Sequence, residues 1–219
     1  MAAKRDSFVP ALGFDRLTQL YDPVVRVTTR ERTFKRRLLD QAAIEPGDAV
    51  LDLGCGTGTL AIWAKLRQPR ADVTGVDGDP AMLDRAREKA AAAGAELRLD
   101  EGLADALPYR DASFTKVLSS LLFHHLPRAT KERAAREVTR VLEPGGELHV
   151  ADFGRAPDLL ARAQFLLVQA FDGFETTADN VNGELPAIFS QAGLDQVSEA
   201  GRLRLAAGSL SLYSARRPE

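Results

Sequence analysis

The chain has one cysteine, one tryptophan and two methionines among its 219 residues. A lone thiol, Cys55, forms no internal disulfide and builds no zinc site. A disulfide-stapled secreted scaffold is therefore excluded, and no metal is expected. An excess of one charge is lacking as well: 29 basic residues face 31 acidic ones, leaving no drive toward nucleic acid or an anionic membrane. No apolar run reaches the length of a membrane-spanning helix, and the opening residues lack a signal-peptide core. These absences predict a cytoplasmic protein with no nucleic-acid partner and no stable membrane insertion, a monomer or a homodimer. A hydrophobic content of 45% fits one domain over 1–219 with a full core.

What the chain does contain is concentrated at Ala49–Leu60. An apolar run, Ala49-Val50-Leu51, reads as a buried strand, passes through Asp52, and breaks into Gly54, Gly56 and Gly58 before a helical pattern opens at Leu60. Glycines at alternate positions turn the chain with no Cβ in the way, so backbone N–H groups can approach a ligand closely. A second acid, Asp77, ends the next apolar run, Val73–Val76. A glycine turn leaving one parallel strand, with a carboxylate at the tip of the next, is how doubly wound α/β sheets grip an adenosine ribose. These residues predict a nucleoside-like cofactor. The dinucleotide fingerprint G-x-G-x-x-G needs its third glycine at position 59, which is Thr59.

The rest of the chain alternates strand and helix. The pattern predicts helices over about 10–44, broken near Asp22-Pro23, and a helix from the glycine bend to Arg67. Asp79 reads as an N-cap with Pro80 at the first helical position, opening a helix that stops at Gly94. Strands follow at 96–100 and 114–120, then a helix ending at Pro144-Gly145-Gly146 and a strand over 147–153. Leu159, Leu160, Ala163, Leu166, Leu167, Ala170, Phe171 and Phe174 recur at helical spacing and predict an amphipathic helix. After a short helix at 185–192, strands 197–205 and 209–215 are joined by only three residues, which forces an antiparallel pair. The single thiol of Cys55 reads as a small residue filling a tight turn, and the basic run Arg26–Arg37 as a solvated helix surface.

The pattern D-x-G-x-G-x-G at Asp52–Gly58 resembles motif I of the class I S-adenosyl-L-methionine (SAM) methyltransferases. SAM has no pyrophosphate to cradle but carries a methionine ammonium, which an acid in this loop can pair directly or through water. Asp105–Phe114 resembles the stretch before the fourth strand of small-molecule methyltransferases, and Leu121–Pro127 and Leu142–Gly146 resemble their following segments. Phe14–Asp22 is similar to the start of the ubiquinone/menaquinone biosynthesis C-methyltransferases. The resemblance implies a Rossmann-like doubly wound α/β sheet, mostly parallel with an antiparallel C-terminal strand pair. It also implies a helical cap over about 1–45, a SAM-binding core over 46–154, and lid helices with a hairpin over 155–219.

It implies a cofactor site at Tyr21, Asp52, Gly54, Cys55, Gly56, Gly58, Asp77, Gly78, Met82, Leu103, Ala104 and Ser120, with S-adenosyl-L-homocysteine as product. One position departs from the family: an Asp that accepts a hydrogen bond from the adenine amine is Leu103 here, with Asp105 a nearby substitute. His124, His125 and Asp152 are the candidate catalytic residues, His125 foremost, because an imidazole titrates near neutrality and can take a proton from the acceptor. Each reads equally as a helix cap or core residue, and His149, inside a strand, reads as structural. The expected partner is a small, partly apolar methyl acceptor, O- or C-methylation of a quinol-like ring being favoured. A noncatalytic SAM-binding module and a NAD-dependent oxidoreductase are the alternatives.

Overall fold

The structure, a computed structural model, describes residues 30–219 apart from 157, 159–161, 164, 167–168, 170–172 and 206–207. Tyr21, Asp22 and the expected helices before residue 30 lie outside the described residues, as do Leu159, Leu160, Leu167, Ala170 and Phe171 of the expected amphipathic helix.

The described chain runs α1 (Glu31–Ala42), β1 (Ala49–Leu53), α2 (Thr59–Arg67), β2 (Asp72–Asp77), α3 (Pro80–Ala93), β3 (Arg98–Glu101) and β4 (Phe114–Ser120). A 3-10 turn (Phe123–His125), α4 (Arg128–Val141), β5 (Leu142–Phe153), α5 (Phe174–Asn182), α6 (Leu185–Gln191), β6 (Asp195–Leu205) and β7 (Gly208–Arg216) complete it. The strands form one sheet in the order β3-β2-β1-β4-β5-β7-β6. β1 through β5 pair in parallel, and β7 is antiparallel to both β5 and β6. This is the doubly wound, mostly parallel sheet with an antiparallel C-terminal pair that the motifs implied.

The pleat divides the core. Val50 of β1 packs with Phe34 and Leu38 of α1 and Leu60 and Ala61 of α2. Leu51 and Leu53 face the other way, into a cluster with Val138 of α4 and Leu185 and Phe189 of α6. Alternation therefore puts Asp52 on the α1–α2 face, where it is fully buried. The strand order reverses between β1 and β4, so their carboxyl ends open the crevice in which such sheets hold ligands.

Asp79 caps α3, its side chain accepting the Ala81 N–H at 2.9 Å with Pro80 next in line, and Gly94 closes the helix in the left-handed conformation. α4 stops earlier than expected, at Val141. Leu142 already pairs with Phe114, so Pro144-Gly145-Gly146 lies within β5 rather than ahead of it. Of the expected apolar stripe the described residues are Ala163, Leu166 and Phe174, and these are exposed. Leu166 and Phe174 are 46% and 59% exposed, whereas Phe165 and the polar Gln169 are buried. α5 was not expected at all. Among the described residues of the basic run, Arg30, Arg32, Arg36 and Arg37 are exposed, and Lys35 turns inward to pair with Glu31 at 2.7 Å.

Candidate active site

Two backbone bonds turn the chain at the end of β1: the Gly54 and Cys55 N–H groups both donate to Val76 O, at 2.9 and 3.0 Å. The bend is thereby stitched to β2, whose tip is Asp77. Asp77 Oδ2 accepts the Gly56 N–H at 2.7 Å and Oδ1 accepts the Asp79 N–H at 2.9 Å. Burial raises the Asp77 carboxyl above its ordinary value, opposed by those two N–H groups. Each carboxylate oxygen has a second lone pair, so two backbone bonds leave room for a vicinal diol.

The three glycines do different things. A Cβ on Gly54 would stand 2.8 Å from Leu122 Cδ1, so Gly54 lets the segment after β4 close over the bend. A Cβ on Gly58 would meet Ala86 Cβ at 3.0 Å, so Gly58 brings α2 against α3. A Cβ on Gly56, at φ 53°, would project into open space. Gly56 is thus the one of the three whose bare backbone faces a space a ligand can fill.

Asp52 lies behind the loop. Its Oδ2 accepts the Ala61 N–H at 3.0 Å, tying the strand to the first turn of α2, and its Oδ1 has no hydrogen-bond partner among the described residues. Burial pushes the carboxyl up to about 7, opposed by the Lys35 charge and the Ala61 N–H. The carboxyl is wholly buried behind the bend and does not open onto the crevice surface. Cys55 turns inward, its Sγ 2.9 Å from where a Cβ on Gly75 would stand, and burial raises its thiol, so it is a filler with no reactive character.

Beyond β2 the chain returns to the same edge: the Gly102 N–H donates to Asp77 O at 3.0 Å. Leu103 follows, 49% exposed, with Ala104 half-buried. Asp105 is tied up by Arg133 at 2.8 Å, so it is not a ready substitute acceptor for an adenine amine. Gly78 is half-buried beside Asp77, and Met82 is buried in the first turn of α3.

On the other side of the crevice β4 ends at Ser120, half-buried, and Leu121 takes φ 56°. That conformation costs a bulky residue about 1–2 kcal/mol. It drops Leu122 onto Gly54 and aims the Phe123 N–H at Asp152 Oδ2, 2.7 Å away. Asp152, fully buried near the end of β5, also receives the Phe153 N–H on Oδ1 at 2.7 Å, and His124 Nδ1 stands 2.8 Å from that same oxygen. Burial opposes ionisation of Asp152, but His124 and the N–H donors outweigh it and hold the carboxyl below its ordinary value. An ionised Asp152 can only accept, so Nδ1 of His124 is the donor in this pair. His125 lies against His124, ring centroids 3.9 Å apart, and burial with its histidine neighbour lowers it to about 3. His125 is therefore neutral and weakly basic. The structure gives the carboxylate to His124, the second-placed of the two in the sequence reading.

His149, Nδ1 3.0 Å from Gln41 Nε2 and Nε2 3.2 Å from Glu147 Oε2, lines a cavity of about 490 Å³ away from this site. The sequence reading missed Asn180 of α5, whose Nδ2 donates to Asp152 Oδ1 at 3.2 Å and to Phe153 O at 3.1 Å.

The strand order, the glycine bend bonded to Asp77, and the family comparison converge. A family described as a methyltransferase domain matches residues 50–146. Over 166 residues the chain is 38% identical to a demethylmenaquinone methyltransferase of Thermus thermophilus, spanning 73% of this chain and 74% of that protein. The chain belongs to the class I SAM-dependent methyltransferases, in the menaquinone-like group. A 27-O-demethylrifamycin SV methyltransferase of Amycolatopsis mediterranei is 33% identical over 187 residues, 81% of this chain and 62% of that one. The fold is shared with phosphoethanolamine N-methyltransferase 2 of Haemonchus contortus in complex with SAM. That likeness has a TM-score of 0.75 at 15% identity and covers 96% of this chain and 59% of the other.

The cofactor of this methyltransferase is SAM, and the residues fit it: an open cradle at Gly56, a carboxyl with spare lone pairs at the tip of β2 in Asp77, and an unmet buried oxygen on Asp52. Among the described residues no helix is long and apolar enough to cross a membrane.

Proposed function

We propose that this methyltransferase alkylates a hydroxyl, or the ring carbon beside one, on a small quinol-like acceptor, with His124 taking the acceptor's proton. The observation that carries the reading is the 2.8 Å pairing of His124 Nδ1 with a buried, anionic Asp152 at the carboxyl edge of β5. A neutral amine needs no base to be methylated, whereas a phenolic hydroxyl or an enol-like ring carbon must shed a proton. A fixed imidazole with its carboxylate is the equipment for the second case. The relatives match that chemistry, one named for a demethylmenaquinone and another for an O-demethylated rifamycin.

SAM, when bound, supplies an electrophilic sulfonium methyl. Asp77 holds its ribose, the Gly56 backbone meets its amino-acid end, and Asp52 supports the ammonium from beneath. Leu103 and Met82 pack on the purine, with Gly54, Gly58, Gly78, Ala104 and Ser120 shaping the walls. His124 takes the acceptor proton at Nε2 while Asp152 stabilises the resulting imidazolium, and the neutral His125 excludes water beside it. Alignment and exclusion of water supply most of the rate, and the base about 10²–10⁴-fold.

The test is transfer of a radiolabelled methyl group from SAM to a panel of reduced naphthoquinols, benzoquinols, catechols and aliphatic amines. Turnover should favour the hydroxylated rings, and His124→Ala and Asp152→Asn should cut kcat by about 10²–10⁴ while S-adenosyl-L-homocysteine binds as before. Preference for amines, or full activity in His124→Ala, would overturn the reading.

A further inference from the structure

Asn180 sits in the last turn of α5, fully buried. Its Nδ2 meets two acceptors, the Asp152 carboxylate and the Phe153 carbonyl. That pairing fixes which way the amide points, since the reverse would set its oxygen against two others. Its Oδ1 then has no hydrogen-bond partner among the described residues. A buried amide with an unmet acceptor is an unfavourable filler. Its structural return lies wholly in the two bonds Nδ2 makes.

We propose that Asn180 is a positioning residue for the proton-transfer pair: it anchors the Asp152 carboxylate against β5 and draws charge from the oxygen that faces His124. This rests on the reading of His124 and Asp152 as that pair. Three donors converge on Asp152 Oδ1: the Phe153 N–H, the Asn180 amide and the His124 ring. The Phe153 N–H and the Asn180 amide each withdraw some of the charge that would otherwise stabilise a His124 imidazolium. With the amide in place, His124 returns its proton more readily after accepting it.

α5 is held where this bond requires. Lys131 of α4, fully buried, donates to Thr176 O at 2.6 Å and to Asp179 Oδ2 at 3.0 Å, and Arg128 holds Asp179 Oδ1 at 2.9 Å. The ionisable groups around the pair are His125 beside it, Lys131 and Asp179 on the α4–α5 side, and Tyr213 from β7. None of them is altered by a change at Asn180.

The test reads His124 without an acceptor. Three histidines make the protein tractable for a pH titration of ¹⁵N-histidine resonances. In Asn180→Ser and Asn180→Leu the His124 transition should move upward by about half a unit to one unit. The acid limb of the kcat profile should move with it, and S-adenosyl-L-homocysteine affinity should stay within about twofold. Asn180→Gln, which keeps an amide donor, should restore part of the shift. An unmoved His124 transition, or a loss of kcat equal at every pH, overturns the inference. Failure of the underlying reading is separate: it shows as an acid limb that survives in His124→Ala, whatever the resonances do.

Discussion

The Gly56 N–H donates to Asp77 Oδ2 across 2.7 Å, which makes the bend after β1 and the tip of β2 a single piece. The residue thought to hold the ribose is therefore also a strut of the glycine loop, and its replacement acts twice. Asp77→Ala removes the ribose acceptor and leaves both the Gly56 and the Asp79 N–H groups without it, at about 1–3 kcal/mol of stability for each one left unmet. Calorimetry should show S-adenosyl-L-homocysteine affinity falling by at least about 100-fold, from loss of charge-assisted bonds. Asp77→Asn keeps one oxygen for Gly56 but turns its NH2 toward the Asp79 N–H, so it should melt between Asp77→Ala and wild type while binding is weakened. Binding within about twofold of wild type in both variants would remove Asp77 from the site.

Gly54 and Gly56 should respond to alanine in opposite ways. At Gly54, also left-handed at φ 69°, the new methyl meets the Leu122 side chain at 2.8 Å, so Gly54→Ala adds backbone strain and pushes that side chain off the bend, beside the turn that carries His124. Folding stability and kcat should both suffer. At Gly56 nothing lies within 4 Å, and the cost to the fold is the left-handed conformation alone, about 1–2 kcal/mol. The methyl would then occupy the cradle. Gly56→Ala should melt only a few degrees below wild type yet lose S-adenosyl-L-homocysteine binding, measured by differential scanning fluorimetry with and without ligand. Retained binding would mean that the cofactor does not approach Gly56.

The parallel half of the fold was legible because its signals are local. Asp79-Pro80 and Gly94 bracket α3 in the sequence as in the structure, and the bounds of β4 match residue for residue. α5 was not legible, for a physical reason. Its buried positions include Thr177, Asp179 and Asn180, and its first residue, Phe174, is exposed. Apolar periodicity finds a helix by the stripe it buries, and α5 is seated by buried ion pairs and amide bonds whose partners lie some 28 to 51 residues away in the chain. Which of His124 and His125 meets Asp152 was likewise not legible in sequence. Adjacent histidines are equivalent until a 3-10 turn directs one ring at Asp152.

Leu103 offers a test by gain of function. It follows the segment that bonds back to Asp77 and is 49% exposed, at the point where the motif resemblance implies an Asp for the adenine amine. Leu103→Asp should supply that acceptor at little cost to a residue already half in solvent. One added hydrogen bond is worth about 1 kcal/mol, so S-adenosyl-L-homocysteine should bind roughly fivefold tighter. Inosine-containing S-adenosyl-L-homocysteine, which lacks the amine, should show no gain. Equal gains for the two ligands would place the new carboxylate elsewhere.

Lys131 is fully buried, and burial lowers its ammonium against the pull of Asp179. Lys131→Met keeps the stem's packing but deprives Thr176 O of its donor and Asp179 of one of its two cations. Breaking a buried pair costs about 3–5 kcal/mol, the lower end applying because Arg128 remains. Hydrogen exchange should report the loss first in α5, with faster exchange at 177–181 than in α4. Uniform destabilisation across both helices would show that the pair holds the whole fold and not α5 in particular.

Asp52 makes stability depend on pH in a defined direction. Its carboxyl ionises near 3.8 in an unfolded chain and at about 7 in the fold, because burial outweighs Lys35 and the Ala61 N–H. Between those values the folded chain retains a proton that the unfolded chain releases. This group's contribution is thus fully present below 3.8 and is lost as pH rises through 7. Asp52→Asn keeps an oxygen for Ala61 and removes the titration. Its melting temperature should exceed that of wild type by several degrees at pH 8 and by much less at pH 5, a difference on the order of a few kcal/mol. A bound ammonium favours the ionised carboxylate, so wild-type affinity for S-adenosyl-L-homocysteine should rise across pH 7 while that of Asp52→Asn stays flat. Parallel stability profiles for the two proteins would show that Asp52 is ionised throughout the range, and the support it lends the ammonium would then carry no pH signature.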